Sequence, residues 1–280
     1  MQKIMICFFL LLLLSSQESQ AVVTDSIEIN WKENKTNLQI FDVSFNAEID
    51  SSEQHYVEIF PVAFDANTEH DLIIGLHGHG SDRWQFATDT RSECSAYRQF
   101  AAKYNMIAVS PDYRAKTSWM GPKAEADIVQ IIRDLKVKFK IDRIFIVGAS
   151  MGGTSALTFA VLHSNLLNGV TSMNGHANHL EYENFQDAIT ESYGGTKVQV
   201  LQEYKKRSAE YWPEKLNIPI AFTVSGNDKS VPPGSAIRLA DVLKKIKQKV
   251  MIINRPDAGH STNFEDAMIA FEFMIHPDNK

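Results

Sequence analysis

The chain has 280 residues, 44% of them hydrophobic and 22% charged, with a formal net charge of −6 at pH 7. This excludes a basic surface for nucleic acid or an anionic membrane, since the densest basic stretches, Lys205-Lys206-Arg207 and Lys244-Lys245, lie in helical patterns and read as solvated faces. With only Cys7 and Cys94 available, a disulfide framework is excluded too, and an apolar core has to hold the fold together.

Lys3 gives a short positive start, Ile4 to Leu14 is an unbroken apolar run, and Ser19-Gln20-Ala21 is a small-x-small cleavage signal. Residues 1–21 therefore read as a signal peptide, with the mature protein starting near Val22 and the product exported, either secreted or periplasmic. The apolar run is too short to span a bilayer, which needs about 20 residues, so no stable membrane insertion is expected. Residues 22–280 form one domain in this reading.

The first elements, "LQIFDVSF" (38–45) and "HYVEIF" (55–60), read as strands with no helix between them, hence an antiparallel pair. Six short apolar runs follow: "LIIGLHG" (72–78), "MIAVS" (106–110), "RIFIVG" (143–148), "GVTSM" (169–173), "IPIAFTVS" (218–225) and "KVMIIN" (249–254). Apolar on both faces, they fit buried strands of a mostly parallel sheet covered by helices on each side. Gly121-Pro122 opens a helix whose Ala124, Ile128, Ile131, Ile132 and Leu135 recur at helical spacing. Thr262 and Glu265 form a capping box for a last helix bearing Phe264, Met268, Phe271 and Ile275 on one face. The fold class is α/β, a doubly wound, mostly parallel sheet with an antiparallel N-terminal lead-in. Residues 176–217 exceed what one crossover helix needs and are rich in aromatics, so they read as a small cap over the sheet.

Within that order, "RIFIVGASMGGTSALTF" (143–159) places Gly148-Ala-Ser150-Met-Gly152 between a strand and a helix. A serine on such a turn projects from the top of the sheet and needs a base to become a nucleophile. His260, in the loop after the last strand, is the candidate base. Asp228, in "GNDKSVPP", is the candidate carboxylate that orients the base, with Asp257 as a rival that more plausibly shapes its own loop. Two backbone N–H groups are needed for the oxyanion: Met151 supplies one by position, and His79 in "HGHGSD" the other, with Gly78 as the alternative. Gly78, Trp119 and His176 are candidate pocket residues.

These four parts, "HGHG", "GASMGG", "GNDKSVPP" and "AGHST", in the order Ser…Asp…His, resemble the α/β-hydrolase family over residues 55–275. Within it, the chain is similar to single-domain secreted esterases of the acetyl-xylan-esterase and feruloyl-esterase kind, and to the catalytic domain of prolyl-oligopeptidase-type serine peptidases. One residue separates Gly226 from Asp228, where many relatives have two, which puts the acid in some doubt. The resemblance implies a serine hydrolase acting on a small-molecule or oligosaccharide ester, with a peptidase or amidase as the alternative and an inactive binding protein as a remote one. It implies no cofactor. A metal reading of His77, His79 and Asp82 is weak, because Arg83 stands where a histidine would complete the run and nothing brings His176 or His179 near. The oligomeric state is not legible.

Overall fold

The computed structural model describes residues 22–23, 28–31 and 34–278 except 115, with side chains from Leu38 onward; the leader read at residues 1–21 lies outside the described residues. Among the described residues ten strands form one sheet. Two short ones, β1 (Val22–Val23) and β2 (Glu28–Trp31), pair antiparallel with β3 (Asn34–Asn46). β4 (Glu53–Pro61) pairs antiparallel with β3 and also with β6 (Ile107–Pro111), which is the expected lead-in. From there the sheet is parallel: β6, β5 (Glu69–Leu76), β7 (Lys140–Ala149), β8 (Gly169–Met173), β9 (Ile220–Ser225) and β10 (Val250–Arg255).

Why the central strands are apolar throughout follows from the two cores that the sheet separates. Leu72, Ile74, Ile144 and Ile146 point into one core, while Ile73, Phe145 and Val147 point into the other. The first core takes α3 (Pro122–Lys138), α4 (Met151–Leu162) and α7 (Gly234–Lys245); the second takes α1 (Trp84–Thr88), α2 (Ser92–Lys103) and α8 (Phe264–Ile275). α3 starts as its sequence dictates, with Gly121 as cap and Pro122 in the first turn, where the missing N–H costs nothing.

Two expectations are corrected. β10 is not buried on both faces: its residues are half-buried to exposed, because it closes the sheet and has β9 as its one partner. The capping box is displaced by one position. Asn263 caps α8, its side chain accepting from the Asp266 N–H at 2.7 Å, while the Thr262 hydroxyl is drawn inward to Asn174 and Thr223.

The cap lies between β8 and β9 and contains α5 (Gln186–Tyr193) and α6 (Leu201–Lys206) with two single turns of 3-10 helix. It is anchored to the body. Arg207, fully buried, donates to the Met120 carbonyl and pairs with Glu125 of α3, and Tyr193 donates to the Trp119 carbonyl.

Candidate active site

Ser150 stands at the C-terminal end of β7, between β5 and β8, where the strand turns directly into α4. Its φ of 60° and ψ of −122° lie in a region that costs a non-glycine residue of the order of 1–3 kcal/mol. Two hydrogen bonds hold it there: Ser150 N–H to the Met173 carbonyl at 2.8 Å, and Thr154 N–H to the Ser150 carbonyl at 3.1 Å. The turn closes only because its flanks lack side chains. A Cβ on Gly148 would stand 2.2 Å from the Gly152 carbonyl oxygen, and one on Gly152 1.8 Å from that of Leu76.

His260 and Asp228 meet Ser150 from two loops. His260 Nε2 is 2.8 Å from Ser150 Oγ, and His260 Nδ1 is 2.6 Å from Asp228 Oδ2. The loops are tied by their backbones, Gly226 N–H to the Arg255 carbonyl and Asn227 N–H to that of Ala258. Asp228 is buried, and its other oxygen accepts from the N–H groups of Ser230 and Val231, both at 2.9 Å. Both oxygens are thus committed, which fixes the carboxylate plane. Asp257 is exposed and makes no bond to His260, so the shorter spacing after Gly226 does not displace the acid.

The histidine loop has a further support that sequence reading missed. Asn174, following β8, accepts from the Thr262 hydroxyl at 2.5 Å and donates to Ser225 Oγ at 2.9 Å, while Ser225 Oγ donates to the Ser261 carbonyl at 3.1 Å. Hydroxyls and an amide scattered over three strand ends carry no motif, so only their convergence in space reveals the role.

In the loop after β5, Gly78 approaches the nucleophile so closely that a Cβ there would lie 3.7 Å from that of Ser150. Its N–H is already taken, donating to Gln85 Oε1 at 2.9 Å. The N–H groups of His79 and Met151 donate to no described residue. Met151 also opens α4, whose N-terminal dipole favours negative charge at this end. Trp119 Nε1–H reaches His79 Nδ1 at 3.3 Å, and burial draws the His79 imidazole below its usual pKa.

A cleft of about 530 Å³ opens over these groups. Gly78, His79 and Gln85 line one part, Ser150, His260 and Asn174 another, and Arg91, Glu93 and Phe185 extend it. Trp119 and His176 do not reach its wall. Both are buried behind His79 and Phe185, with the His176 ring stacked on Tyr182 at 4.0 Å. Burial depresses His176 to about 3, with Lys197 adding to the effect, so its ring is neutral at pH 7. Most aromatics of the cap are likewise core: Tyr182, Tyr193 and Tyr204 are buried, and Phe185 is the cap aromatic that lines the cleft. His77 turns inward, its ring nitrogens facing the carbonyls of Gly78 and Asp112 rather than Asp82. Among the described residues, no group of three or more His, Cys, Asp or Glu side chains is placed to hold a metal.

The profile of the prolyl oligopeptidase family matches residues 95–273, from within α2 into α8, spanning all three relay residues. The chain belongs to the prolyl oligopeptidase family. No curated protein matches it. Among solved structures it is similar to a Bacteroides ovatus protein assigned as a dipeptidyl aminopeptidase IV (TM-score 0.70, 15% identity), covering 88% of this chain and 36% of that one. It is also similar to a fluorophosphonate-binding serine hydrolase of Staphylococcus aureus (TM-score 0.69, 15% identity; 86% and 99% covered) and to a ferulic acid esterase (TM-score 0.63, 15% identity; 86% and 98% covered). At these identities the likeness is one of fold, and that fold is of the α/β-hydrolase type.

Proposed function

We propose that this member of the prolyl oligopeptidase family hydrolyses carboxylic esters through Ser150, His260 and Asp228. The observation that carries the reading is the continuous hydrogen-bonded relay, 2.8 Å from Ser150 to His260 and 2.6 Å from His260 to Asp228. Ser150 Oγ attacks the carbonyl carbon as His260 Nε2 accepts its proton, and buried Asp228 stabilises the resulting imidazolium. The tetrahedral oxyanion is met by the N–H groups of Met151 and His79, which are uncommitted, whereas that of Gly78 is bound to Gln85. His260 then returns the proton to the leaving alcohol, and water attacks the acyl-enzyme by the same route in reverse.

The lining of the cleft supports the ester reading: Thr90, Ser92, Ser230 and Ser261 are neutral and hydroxyl-bearing. Such a wall suits an acylated polysaccharide or its fragments. On the same reading the leader at residues 1–21 exports the protein, and N-terminal sequencing of the exported form should begin near Val22.

The test uses matched chromogenic substrates, 4-nitrophenyl acetate and a prolyl 4-nitroanilide, on the native protein and on Ser150→Ala. Ester turnover that falls at least about 10⁴-fold in Ser150→Ala, without comparable amide cleavage, is expected. Preferential cleavage of the anilide would replace the esterase with a peptidase. Equal rates for the two proteins on both substrates would remove the nucleophile and leave a binding protein.

A further inference from the structure

The cleft contains a charged group that the relay does not use. Glu93, in the first turn of α2, lines it beside Thr90, Arg91 and Ser92, and is only 9% exposed. Among the described residues no side chain bonds to its carboxylate, which accepts from its own backbone N–H. Arg91, two positions earlier, is turned away onto Asp89, with Nε at 2.9 Å and Nη2 at 2.6 Å from Oδ2. Burial of a carboxylate with no side-chain donor is costly, and it raises the Glu93 carboxyl above its ordinary range. A ligand that donates hydrogen bonds into the cleft would relieve that cost.

A second observation concerns Phe185. It is 41% exposed at the cleft although the cap tyrosines Tyr182, Tyr193 and Tyr204 are buried, and its φ of 54° is left-handed. Its ring is held against His79 at 4.3 Å between centroids. One wall of the cleft thus carries an acceptor with no side-chain donor among the described residues, and the cap offers a partly exposed apolar ring. A saccharide supplies both complements, hydroxyl donors around its rim and a C–H face on the ring. Arg91 and His260 already act on Glu93 electrostatically from a distance, which weakens its pull on an ammonium group, and Glu93 itself disfavours an anion.

We propose that Glu93 and Phe185 form a saccharide subsite, in which the Glu93 carboxylate accepts hydrogen bonds from hydroxyls of the alcohol half of the ester and Phe185 covers its ring. The proposal rests on the hydrolase reading for its place in turnover, but the subsite can be measured without turnover. The first experiment compares acetylated methyl xyloside with 4-nitrophenyl acetate, which share an acyl group. Glu93→Gln should lower the ratio of their kcat/KM values at least about tenfold, chiefly through KM for the xyloside, and Phe185→Ala should shift it the same way. The ratio is insensitive to a fraction of unfolded protein, which lowers both rates alike. The second measures xylotetraose binding to Ser150→Ala by calorimetry, with and without Glu93→Gln. Binding that weakens at least tenfold in the Glu93 variant supports the subsite even if the native protein cleaves no ester, in which case the hydrolase reading alone falls. Absence of xylotetraose binding, or binding indifferent to Glu93, overturns the subsite while leaving 4-nitrophenyl acetate hydrolysis to support the hydrolase. An unchanged ratio of kcat/KM values overturns it as well.

Discussion

At the scale of single residues, the two glycines around Ser150 and the glycine of the oxyanion loop differ in what they forbid. Gly152 is enclosed by backbone, with the Leu76 and His77 carbonyls 1.8 and 2.8 Å from where a Cβ would be. Neither carbonyl can move without disturbing β5 and the loop that follows it. Gly80 has a φ of 81° but open space around its Cβ position, so a side chain there meets only conformational strain. Gly152→Ala is therefore expected to cost more than about 3 kcal/mol or to prevent folding, and Gly80→Ala about 1 kcal/mol. Urea denaturation of both variants checks the order, and equal losses would mean that the turn at Ser150 relaxes more freely than its contacts imply. These glycines were legible in the sequence because their spacing around a serine is itself the signal. Glu93 and Gln85 were not, since a polar residue in a loop or short helix looks the same whether it faces solvent or a cleft.

The secondary-structure elements show the same division on a larger scale. Six parallel strands could be read from apolar runs, though not their order in the sheet, with β6 outside β5; a strand buried between two helical layers has no polar face to disguise it. The edge character of β10 was hidden for that reason: "KVMIIN" is as apolar as its neighbours, and only the absence of a second partner exposes it. The start of α8 was misread by one residue because Thr262 satisfies the capping pattern, yet its hydroxyl is claimed by Asn174 and Thr223. Helix α1 carries a role that no periodicity announces. It holds Gln85 against the loop proposed to meet the oxyanion, where Oε1 occupies the Gly78 N–H while His79 lines the cleft. In Gln85→Leu the Gly78 N–H is left unpaired and the loop is free to rotate. The expected result is a fall in kcat of about 10-fold or more with KM within twofold, somewhat less than the 10²–10³ of deleting an oxyanion donor outright. Steady-state kinetics on 4-nitrophenyl acetate separates the two parameters; a rise in KM alone would mean that Gln85 binds substrate instead of shaping the loop.

Across the whole molecule, the cap and the body are joined by buried groups whose charge state depends on folding. His176 and His179 are both buried, their rings 4.6 Å apart, and burial holds both well below the usual imidazole range, His176 at about 3. In the unfolded chain each would titrate near 6.5. Below that value the unfolded state binds more protons than the folded one, so stability falls as pH is lowered. Each histidine contributes a slope of roughly 1.4 kcal/mol per pH unit until its own folded value is reached. Glu125 adds to this at lower pH. Burial alone would raise its carboxyl, but the hydrogen bond to His163 and the charge of Arg207 outweigh burial and hold it at about 2, so the stability it lends is lost between about 4.5 and 2. The protein should therefore be most stable above about pH 6.5, lose stability steeply from there to pH 5, and keep losing it into the range of Glu125. Urea denaturation at pH 7.5, 6.0 and 5.0 measures the slope, and His176→Phe, which has no proton to gain, should flatten it by about half over the same interval. If the slope is unchanged in that variant, the buried pair is not what couples the cap to acid, and protonation must act through groups elsewhere in the fold.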